Sequence, residues 1–338
     1  MNKKISFVQN YNLNNKIFDI NDQTINRDNF GFFYYKLRET FLNNGLDLST
    51  SDLNKPEESD IIFFNGLTQK IVHYKTHKSY LLALESPHVD VSFNKKENHK
   101  YFNKIFTWDD RLIDNIKYFK VNYSFNIPNS IPKLYEGKKL CTTIAGNKTA
   151  NHKDELYTKR IELIRWFEDN HIDDFDLFGM GWEQRDFGSN LLGKFLNKIS
   201  PLKKIFYKPF PSYKGTVSSK FETLVNYKFA ICYENIKDQP GYITEKIFDT
   251  FFAGCIPIYW GANNISDHIP ANCFIDKRNF KSFEELYAFI NSMEEDSYFE
   301  YLDNIEKFLN SNQANPFRAE FFADTIVKEI LKDFNDIS

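Results

Sequence analysis

A glutamate and a lysine stand side by side at the start of a predicted helix, where the positive charge is unexpected. Apolar residues at helical spacing predict this helix from about Ile243 to Phe252, and Glu245 and Lys246 fall in its first turn. A cation there opposes the helix dipole unless an anion binds at the same end. Because helix N-termini are frequent phosphate sites, the pair indicates phosphate binding. A solvent-exposed ion pair is the alternative.

A second candidate is a carboxylate in the N-terminal half. Tyr80 to Leu84 is a continuous apolar run, typical of a strand buried on both faces, and Glu85 follows it directly. In open α/β sheets the carboxyl ends of strands border the ligand crevice. This position makes Glu85 equally a candidate for a general base, which would take a proton from a substrate hydroxyl, and for a structural carboxylate. The alternative is a carboxylate that caps the turn at Pro87, and His88 is a less favoured base that is better suited to contact the substrate.

An arginine shares the apolar face of another predicted helix, Glu155 to Glu168. Arg160 lies on the face that carries Leu163 and Phe167, where a merely solvated arginine is not expected. A guanidinium can hold a diphosphate through two parallel hydrogen bonds, which lysine cannot do. Alternatively, its aliphatic stem passes the core and its charged end reaches water.

These residues must be positioned by alternating strands and helices. Strands are predicted at Phe229 to Tyr233 and Ile256 to Trp260, on either side of the 243–252 helix that Gly254 ends, which is a unit typical of parallel sheets. Pro257 is unusual in the second strand because it cannot donate to the ladder.

The alternation continues along the chain. Further strands are predicted at 5–9, 61–64, 80–84, 104–108, 140–145, 175–178 and 274–276, and helices at 30–42, 155–168, 219–225, 283–293 and 322–334. The stretch Ile127 to Lys139 contains two prolines and a glycine without periodicity, so we expect the linker there. A length of 338 residues suits two domains.

The segment from Tyr227 to Gly261 carries a dense set of residues at fixed spacings. They are Tyr227-Lys228-Phe229, Glu234-Asn235, Gly241-Tyr242-Ile243-Thr244-Glu245-Lys246-Ile247, Gly254 and Ile256-Pro257, continued by Tyr213-Lys214-Gly215, Lys220, Trp260-Gly261, Ile269-Pro270 and Phe274-Ile275-Asp276. This set resembles the donor-binding signature of the α-1,3/4-fucosyltransferases, glycosyltransferase family 10. Leu84-Glu85-Ser86-Pro87-His88 resembles a motif of the vertebrate members, and Ile105 to Arg111 resembles another more loosely.

The resemblance implies a GT-B fold, an α/β architecture of two Rossmann-like domains facing across a cleft. We expect an acceptor-binding domain at residues 1–130, a GDP-fucose-binding domain at 131–318 and a C-terminal helix at 319–338. The family pattern implies that Glu245 binds the ribose and that Lys246 and Arg160 bind the donor phosphates. The remaining expected donor contacts are Tyr242, Glu234 and Asn235 toward the fucose or diphosphate, and Tyr213, Lys214 and Lys220 toward the guanosine and phosphates.

Composition narrows the possible binding partners and cellular locations of the protein. A net charge of −3 and the lack of a basic recognition motif give no indication of nucleic-acid binding. No apolar run approaches the roughly 18 residues of a membrane span, and the N-terminus lacks a signal-peptide core. We therefore expect a cytoplasmic protein of the bacterial or viral type, peripheral to a membrane only through a lipid-linked acceptor. The four cysteines lack C-x-x-C spacing and are predicted to be reduced and buried, and the aromatic content of 17% is attributed to core packing.

Two patterns that could indicate a metal are interpreted otherwise. Asp174-Phe175-Asp176 is a D-x-D tripeptide, but it falls before the run Leu177-Phe178-Gly179 instead of after a strand, which favours a turn or a surface position. His73 and His77 stand four residues apart without a third ligand. We therefore expect that no divalent metal is required, and that Arg160 and Lys246 supply the positive charge.

The sequence thus predicts an inverting fucosyltransferase with Glu85 as general base. It would move L-fucose from GDP-fucose to a GlcNAc-containing glycan of a lipopolysaccharide or protein, forming an α-1,3 linkage on N-acetyllactosamine-like units. An enzyme that uses another nucleotide sugar or another acceptor sugar is one alternative. The other is an inactive glycan- or nucleotide-binding protein, against which the retention of Glu85, Arg160, Glu245 and Lys246 argues.

Overall fold

The computed structural model describes residues 3–67, 78–86, 92–93, 95–184, 191–196, 198 and 207–335. Within these residues the chain forms two compact units. Unit 1 contains the residues up to Ile127, the short segment Pro240–Ile243 and the residues from Asn312 onward. Unit 2 contains Pro128–Gln239 and Thr244–Ser311.

Strands and helices alternate in both units. The strands are β1 (Lys3–Val8), β2 (Leu46–Thr50), β3 (Ile61–Asn65), β4 (Lys78–Ala83), β5 (Lys104–Thr107), β6 (Tyr118–Lys120), β7 (Lys139–Ile144), β8 (Phe175–Phe178), β9 (Tyr227–Tyr233), β10 (Ile256–Trp260) and β11 (Ile275–Asp276). The α-helices are α1 (Phe32–Asn43), α2 (Tyr157–Asn170), α3 (Leu191–Leu196), α4 (Lys220–Leu224), α5 (Glu245–Phe252), α6 (Ile265–His268), α7 (Phe283–Asn291), α8 (Glu295–Leu309) and α9 (Ala319–Asn335).

Unit 1 is built on a parallel sheet with the order β2-β1-β3-β4-β5-β6. Its inner strands are apolar because helices and loops cover both faces, as the continuous runs predict. Aromatic rings fill this core: the Phe63 ring lies 5.7 Å from that of Phe7 and 6.0 Å from that of Phe106. The C-terminal helix α9 packs on α1, where the rings of Phe33 and Phe322 meet edge to face at 5.2 Å. The aromatic residues are thus used in core packing.

Unit 2 is also built on a parallel sheet, with the order β11-β10-β9-β7-β8. Helix α2 follows β7, and α5 joins β9 to β10, as the predicted strand–helix–strand unit requires. The four cysteines all lie in this unit, buried and not in disulfides, so that prediction is confirmed. Burial raises the pKa of the Cys232 thiol to about 12, which keeps it protonated and unreactive.

Two unusual residues of the signature have structural explanations in unit 2. Gly254 ends α5 with φ +61°, and a Cβ there would come within 1.8 Å of the Pro132 carbonyl oxygen, so only glycine fits. Pro257 lies inside β10 opposite Ala230 of β9. On its other side β10 is paired only at Ile258 and Tyr259, because β11 is too short to reach Pro257.

The predicted elements are confirmed, and the strands Phe175–Phe178 and Ile256–Trp260 have the predicted bounds. Sequence analysis missed β2, β6, α3, α6 and α8. Strand β2 is polar yet buried because its groups are bonded locally: the Asn15 side chain accepts from the Thr50 amide at 2.8 Å and contacts the Ser49 hydroxyl at 3.3 Å. Helix α8 is rich in acidic residues, which masked an apolar stripe that includes Tyr298, Leu302 and Ile305.

Candidate functional site

The strand order of unit 2 defines where a ligand is expected to bind. From β7 the chain moves outward to β8 and then returns to the opposite side of β7 to form β9. The carboxyl ends of β7 and β9 therefore flank the point at which the strand order reverses, the usual ligand position in open α/β sheets. Arg160 lies on α2, which follows β7, and Glu234 and Asn235 follow β9 directly. The topology brings these predicted residues to one edge of the sheet.

Glu234 ties the end of β9 to the start of α5. The carboxylate is fully buried and accepts hydrogen bonds from the Thr244 amide at 2.8 Å and from the Thr244 hydroxyl at 2.7 Å. It also accepts from Lys246 Nζ at 3.1 Å. A buried carboxylate needs such charge-assisted bonds to offset the loss of hydration.

The anion expected beside Lys246 is present within the protein itself. Lys246 Nζ lies 3.1 Å from Glu234 and 3.5 Å from Glu245, and it donates to the Thr244 hydroxyl at 2.9 Å. Two carboxylates thus neutralise the cation that opposes the helix dipole. These carboxylates account for the lysine at the helix start without a bound phosphate, and phosphate binding there stays a prediction. The lysine nevertheless lies at the N-terminus of α5, where phosphate binding is also favourable.

Glu245 and Lys220 extend the same group of charges. Burial acts to raise the pKa of Glu245, but Lys246 and Lys220 outweigh it and lower the pKa to about 2, so the carboxylate is ionised. Lys220 Nζ contacts Asp249 at 2.6 Å, and the carboxylates of Asp249 and Glu245 outweigh burial and raise its pKa. We call Lys220, Glu234, Glu245, Lys246 and Asp249 the α5 charge cluster.

Arg160 is buried, which excludes the alternative of a side chain that reaches water. Only 4% of the residue is exposed, and its Nη2 donates to the Tyr233 carbonyl oxygen at 2.7 Å and to that of Glu234 at 3.5 Å. The guanidinium also lies 5.5 Å from the centre of the Tyr157 ring. Burial lowers the pKa of Arg160 from its very high ordinary value. The guanidinium is therefore held at the end of β9, next to the α5 charge cluster.

Tyr213 and Lys214 border β8, and the structure does not bring Lys214 to the same edge. The Tyr213 hydroxyl donates to the Gly179 carbonyl oxygen at 2.9 Å, near the carboxyl end of β8. Lys214 Nζ instead lies 3.5 Å from Asp176, whose carboxylate also accepts from Lys139 at 2.7 Å and from the Tyr227 hydroxyl at 2.6 Å. Lys139 and Tyr227 begin β7 and β9, so this ion pair is at the amino ends of the strands.

Both aspartates of the D-x-D tripeptide have partners within the protein, but the predicted turn or surface position is wrong for Asp176, which is buried in a strand. Asp176 lies inside β8 with the three partners just described, and Asp174 accepts from the Tyr287 hydroxyl at 2.7 Å. Among the described residues, no group of three or more histidine, cysteine, aspartate or glutamate side chains is arranged to hold a metal ion. His73 and His77 lie outside the described residues.

A cavity of 340 Å³ opens near the carboxyl ends of β7 and β8. Asn147, Arg165 and Phe210 are among its lining residues. The Arg165 guanidinium stacks 3.5 Å from the centre of the Phe210 ring and is fixed by bonds to the carbonyl oxygens of Pro209 and Lys208. The cavity is thus lined by a planar aromatic ring, a fixed cation and an amide, and its size suits a nucleobase. Sequence analysis did not identify Arg165 or Phe210, since only the fold brings them beside Asn147.

Unit 1 holds the predicted base. Glu85 follows β4, separated from it only by Leu84, and its side chain is exposed at the carboxyl end of the sheet. The Leu84 carbonyl oxygen accepts two hydrogen bonds at 2.9 Å, one from Trp108 Nε1 and one from the Tyr123 hydroxyl. His88, the other predicted residue of this motif, lies outside the described residues.

Polar residues near Glu85 were missed by the sequence analysis. Gln9 follows β1 and Asn65 ends β3, and the Asn65 amide donates to Gln9 Oε1 at 3.1 Å and accepts from the Tyr34 hydroxyl at 3.2 Å. The order of the sheet reverses between β1 and β3, so this pair marks the switch point of unit 1. Burial raises the pKa of the Tyr11 hydroxyl and the charge of Glu85 raises it further, which puts Tyr11 within electrostatic range of Glu85. The predicted ends of the two strands could have indicated Gln9 and Asn65.

Tyr242, expected near the donor, belongs to unit 1. It is 2% exposed, and its ring lies 4.8 Å from that of Trp108 and 6.4 Å from that of Tyr123. The preceding Gly241 has φ +83°, and a Cβ there would come within 2.3 Å of the Trp108 carbonyl oxygen. The segment therefore packs directly on Trp108.

Comparison with known proteins shows what the chain is similar to. The model of "Glycosyltransferase family 10 (fucosyltransferase) C-term" matches residues 196–322. The chain is 26% identical to alpha-(1,3)-fucosyltransferase FucT of Helicobacter pylori over 305 residues, which are 84% of this chain and 58% of that protein. Residues 196–322 therefore form a glycosyltransferase family 10 domain.

A further relative is an alpha-(1,4)-fucosyltransferase of Arabidopsis thaliana, 38% identical over 78 residues. That match covers 22% of this chain and 19% of the plant protein. The chain therefore spans 58% of the bacterial relative and 19% of the plant relative. Of the predicted residues, the matched family region includes the α5 charge cluster but neither Arg160 nor Glu85.

Solved structures establish the fold of the chain. An α1,3-fucosyltransferase with GDP superposes with a TM-score of 0.56 at 18% identity, covering 99% of this chain and 89% of that chain. T4 phage BGT in complex with UDP and Mn²⁺ gives 0.52 at 14% identity, with 97% and 99% covered. The predicted GT-B fold class, two parallel-sheet α/β units, is confirmed. The cleft itself stays a prediction.

In the part of the chain that the structure describes, we find no helix with the length and apolar character of a membrane span.

Proposed function

We propose that this protein transfers L-fucose with inversion from GDP-fucose to a hydroxyl of a GlcNAc-containing glycan, forming an α-1,3 linkage, without a divalent metal. The observation that carries the proposal is the α5 charge cluster with Arg160 at the switch point of the unit 2 sheet. The Helicobacter pylori relative is named as an alpha-(1,3)-fucosyltransferase, and related structures contain GDP or GDP-fucose. These names support the donor and the linkage.

Unit 2 would bind the donor. The 340 Å³ cavity beside Asn147 would receive guanine, with Phe210 as a stacking surface. Glu245, ionised above pH about 2, would accept hydrogen bonds from the ribose hydroxyls. The diphosphate would accept hydrogen bonds from Lys246 and Arg160. In the structure Lys246 donates to the Glu234 carboxylate and Arg160 to the Glu234 carbonyl oxygen. In this scheme Glu234 and Thr244 hold the lysine in place before the donor arrives.

Unit 1 would bind the acceptor and supply the base. Gln9, Tyr11 and Asn65 would donate to and accept from sugar hydroxyls near Glu85. In the chemical step, Glu85 takes the proton of the acceptor hydroxyl as its oxygen bonds to C1 of fucose. The bond from C1 to the phosphate oxygen breaks with its electron pair on GDP, and the cations beside the diphosphate stabilise that charge. Attack on the face opposite the leaving group inverts the configuration.

A donor and acceptor screen tests the proposal. GDP release would be measured with GDP-fucose against a glycan array, with the linkage of the product read by NMR, and repeated with GDP-mannose and UDP-sugars. We expect release only with GDP-fucose and with N-acetyllactosamine-like acceptors. Preference for another donor would overturn the donor assignment, and a different linkage would overturn the α-1,3 assignment. GDP binding without turnover on any acceptor would favour an inactive binding protein.

A further inference from the structure

We propose that Trp108 and Tyr123 are positioning residues for Glu85, and that Tyr242 holds both of them in place. The inference rests on the proposed role of Glu85 as the base. It assigns Tyr242 a role in unit 1 in addition to, or instead of, the donor contact that the family resemblance implies. All four side chains belong to the same unit.

The first step of the argument is the geometry of one peptide bond. The carbonyl of Leu84 and the amide of Glu85 lie in a single rigid plane. Two donors from different parts of the chain, Trp108 Nε1 and the Tyr123 hydroxyl, meet the Leu84 oxygen at 2.9 Å each. Two hydrogen bonds from different directions fix the orientation of that plane, and with it the point from which the Glu85 side chain starts.

The second step is burial. Trp108 is 1% exposed and Tyr123 is 8% exposed, whereas Glu85 is exposed. Hydrogen bonds that are shielded from water do not have to compete with bonds to solvent. A buried carbonyl group that loses its donors lowers the stability of the folded protein. The Glu85 carboxylate is therefore accessible, whereas the carbonyl group of the preceding peptide bond is buried and accepts two hydrogen bonds. Catalytic groups need such support, because a base must be held close to its productive position.

The third step is the support of Trp108 itself. The ring of Tyr242 tilts against that of Trp108 at 4.8 Å, and the Asp110 amide donates to the Pro240 carbonyl oxygen at 3.3 Å. The Trp108 carbonyl oxygen accepts from Lys120 Nζ at 2.7 Å. Both the indole ring and the backbone of Trp108 are thus held in place. Gly241 permits the close approach of its segment to the Trp108 carbonyl oxygen. Ordinary core packing would account for the rings, but the convergence of two polar donors on the residue before Glu85 points to positioning.

The test removes each donor in turn. Trp108→Phe deletes the indole N–H together with part of the buried ring system, whereas Tyr123→Phe deletes the hydroxyl alone. With GDP-fucose and the acceptor found in the screen, we expect kcat to fall by about 10- to 100-fold in each variant, as for a misplaced catalytic group. The affinity for GDP and the KM for GDP-fucose should stay near wild type. Tyr80→Phe is the matched control, since this buried tyrosine of β4 donates to Asp333 at 2.7 Å and should affect stability without lowering kcat.

The decisive measurement is a double-mutant cycle with Glu85→Gln. If the two donors act through Glu85, adding Tyr123→Phe to Glu85→Gln should lower kcat by less than 2-fold more. A full additional loss would mean a structural role and would overturn the inference, as would wild-type kcat in the single variants. If one single variant does not fold, the other decides. Failure of the wild-type protein to transfer fucose would instead contradict the proposed function, which keeps the two failures distinct.

Discussion

At the scale of the residue, the sharpest prediction concerns the proposed base. Glu85→Gln keeps the shape and hydrogen bonding of the side chain but cannot take a proton, so turnover should fall by roughly 10²-fold or more. GDP binding should stay near wild type, because GDP is proposed to bind in unit 2. Steady-state kinetics and calorimetric GDP titration would check this, with the unit 1 surface variant Glu58→Gln as control. Wild-type turnover would remove Glu85 from the mechanism and make His88 the next residue to test.

Lys246 combines a structural role with a proposed ligand role, and its removal should affect both. Lys246→Ala deletes a charged contact to the diphosphate, so the affinity for GDP should fall by about 1.5–3 kcal/mol. It also leaves the buried Glu234 with only the two Thr244 bonds, so the melting temperature should fall as well. Calorimetry and thermal unfolding measure the two effects. Lys159→Ala removes an exposed lysine paired with Glu162 on α2 and should change neither. Unchanged GDP affinity with reduced stability would restrict Lys246 to pairing with Glu234.

At the scale of the element, the start of α5 should make stability depend on pH. The pKa of Glu245 is lowered from 4.5 to about 2, so the folded state binds this proton less readily than the unfolded state. The ionised group therefore contributes stability above pH 4.5 that is lost as the pH falls toward 2. The difference in the free energy of unfolding between wild type and Glu245→Gln should shrink over that range, as measured by urea titration. A constant difference for Glu245→Gln across that range would contradict the assignment.

At the scale of the whole molecule, the charge around the donor site bears on the metal requirement. Arg160, Lys220 and Lys246 bring three positive charges to one edge of the unit 2 sheet, beside the carboxylates of Glu234, Glu245 and Asp249. We expect EDTA to leave most of the transferase activity intact, because Arg160 and Lys246 would donate charge-assisted hydrogen bonds to the diphosphate. The check is GDP release in EDTA and after addition of Mn²⁺. Complete loss on chelation, restored by Mn²⁺, would bring Asp174 and Asp176 back as candidate ligands.

Local signals in the chain were sufficient to predict most of the strands and helices. Apolar runs and helical spacing predicted the central strands and α5, because burial on a sheet or helix face imposes a period that can be read residue by residue. The same signals predicted that Glu85, Glu234 and Asn235 would stand at strand ends. They failed for β2 and α8, where polar partners or a charged surface concealed the pattern.

Which side chains meet was decided only by the tertiary structure. The tertiary structure brings the anion Glu234 next to Lys246, places Lys214 near the amino ends of the strands, and pairs Gln9 with Asn65. It also packs Tyr242 against Trp108, although the two are 134 positions apart in the chain. Sequence by itself determined the strands, the helices and the ends at which chemistry could occur, because those depend on neighbours along the chain. The partners of each charge depend on strand order, which no local period encodes.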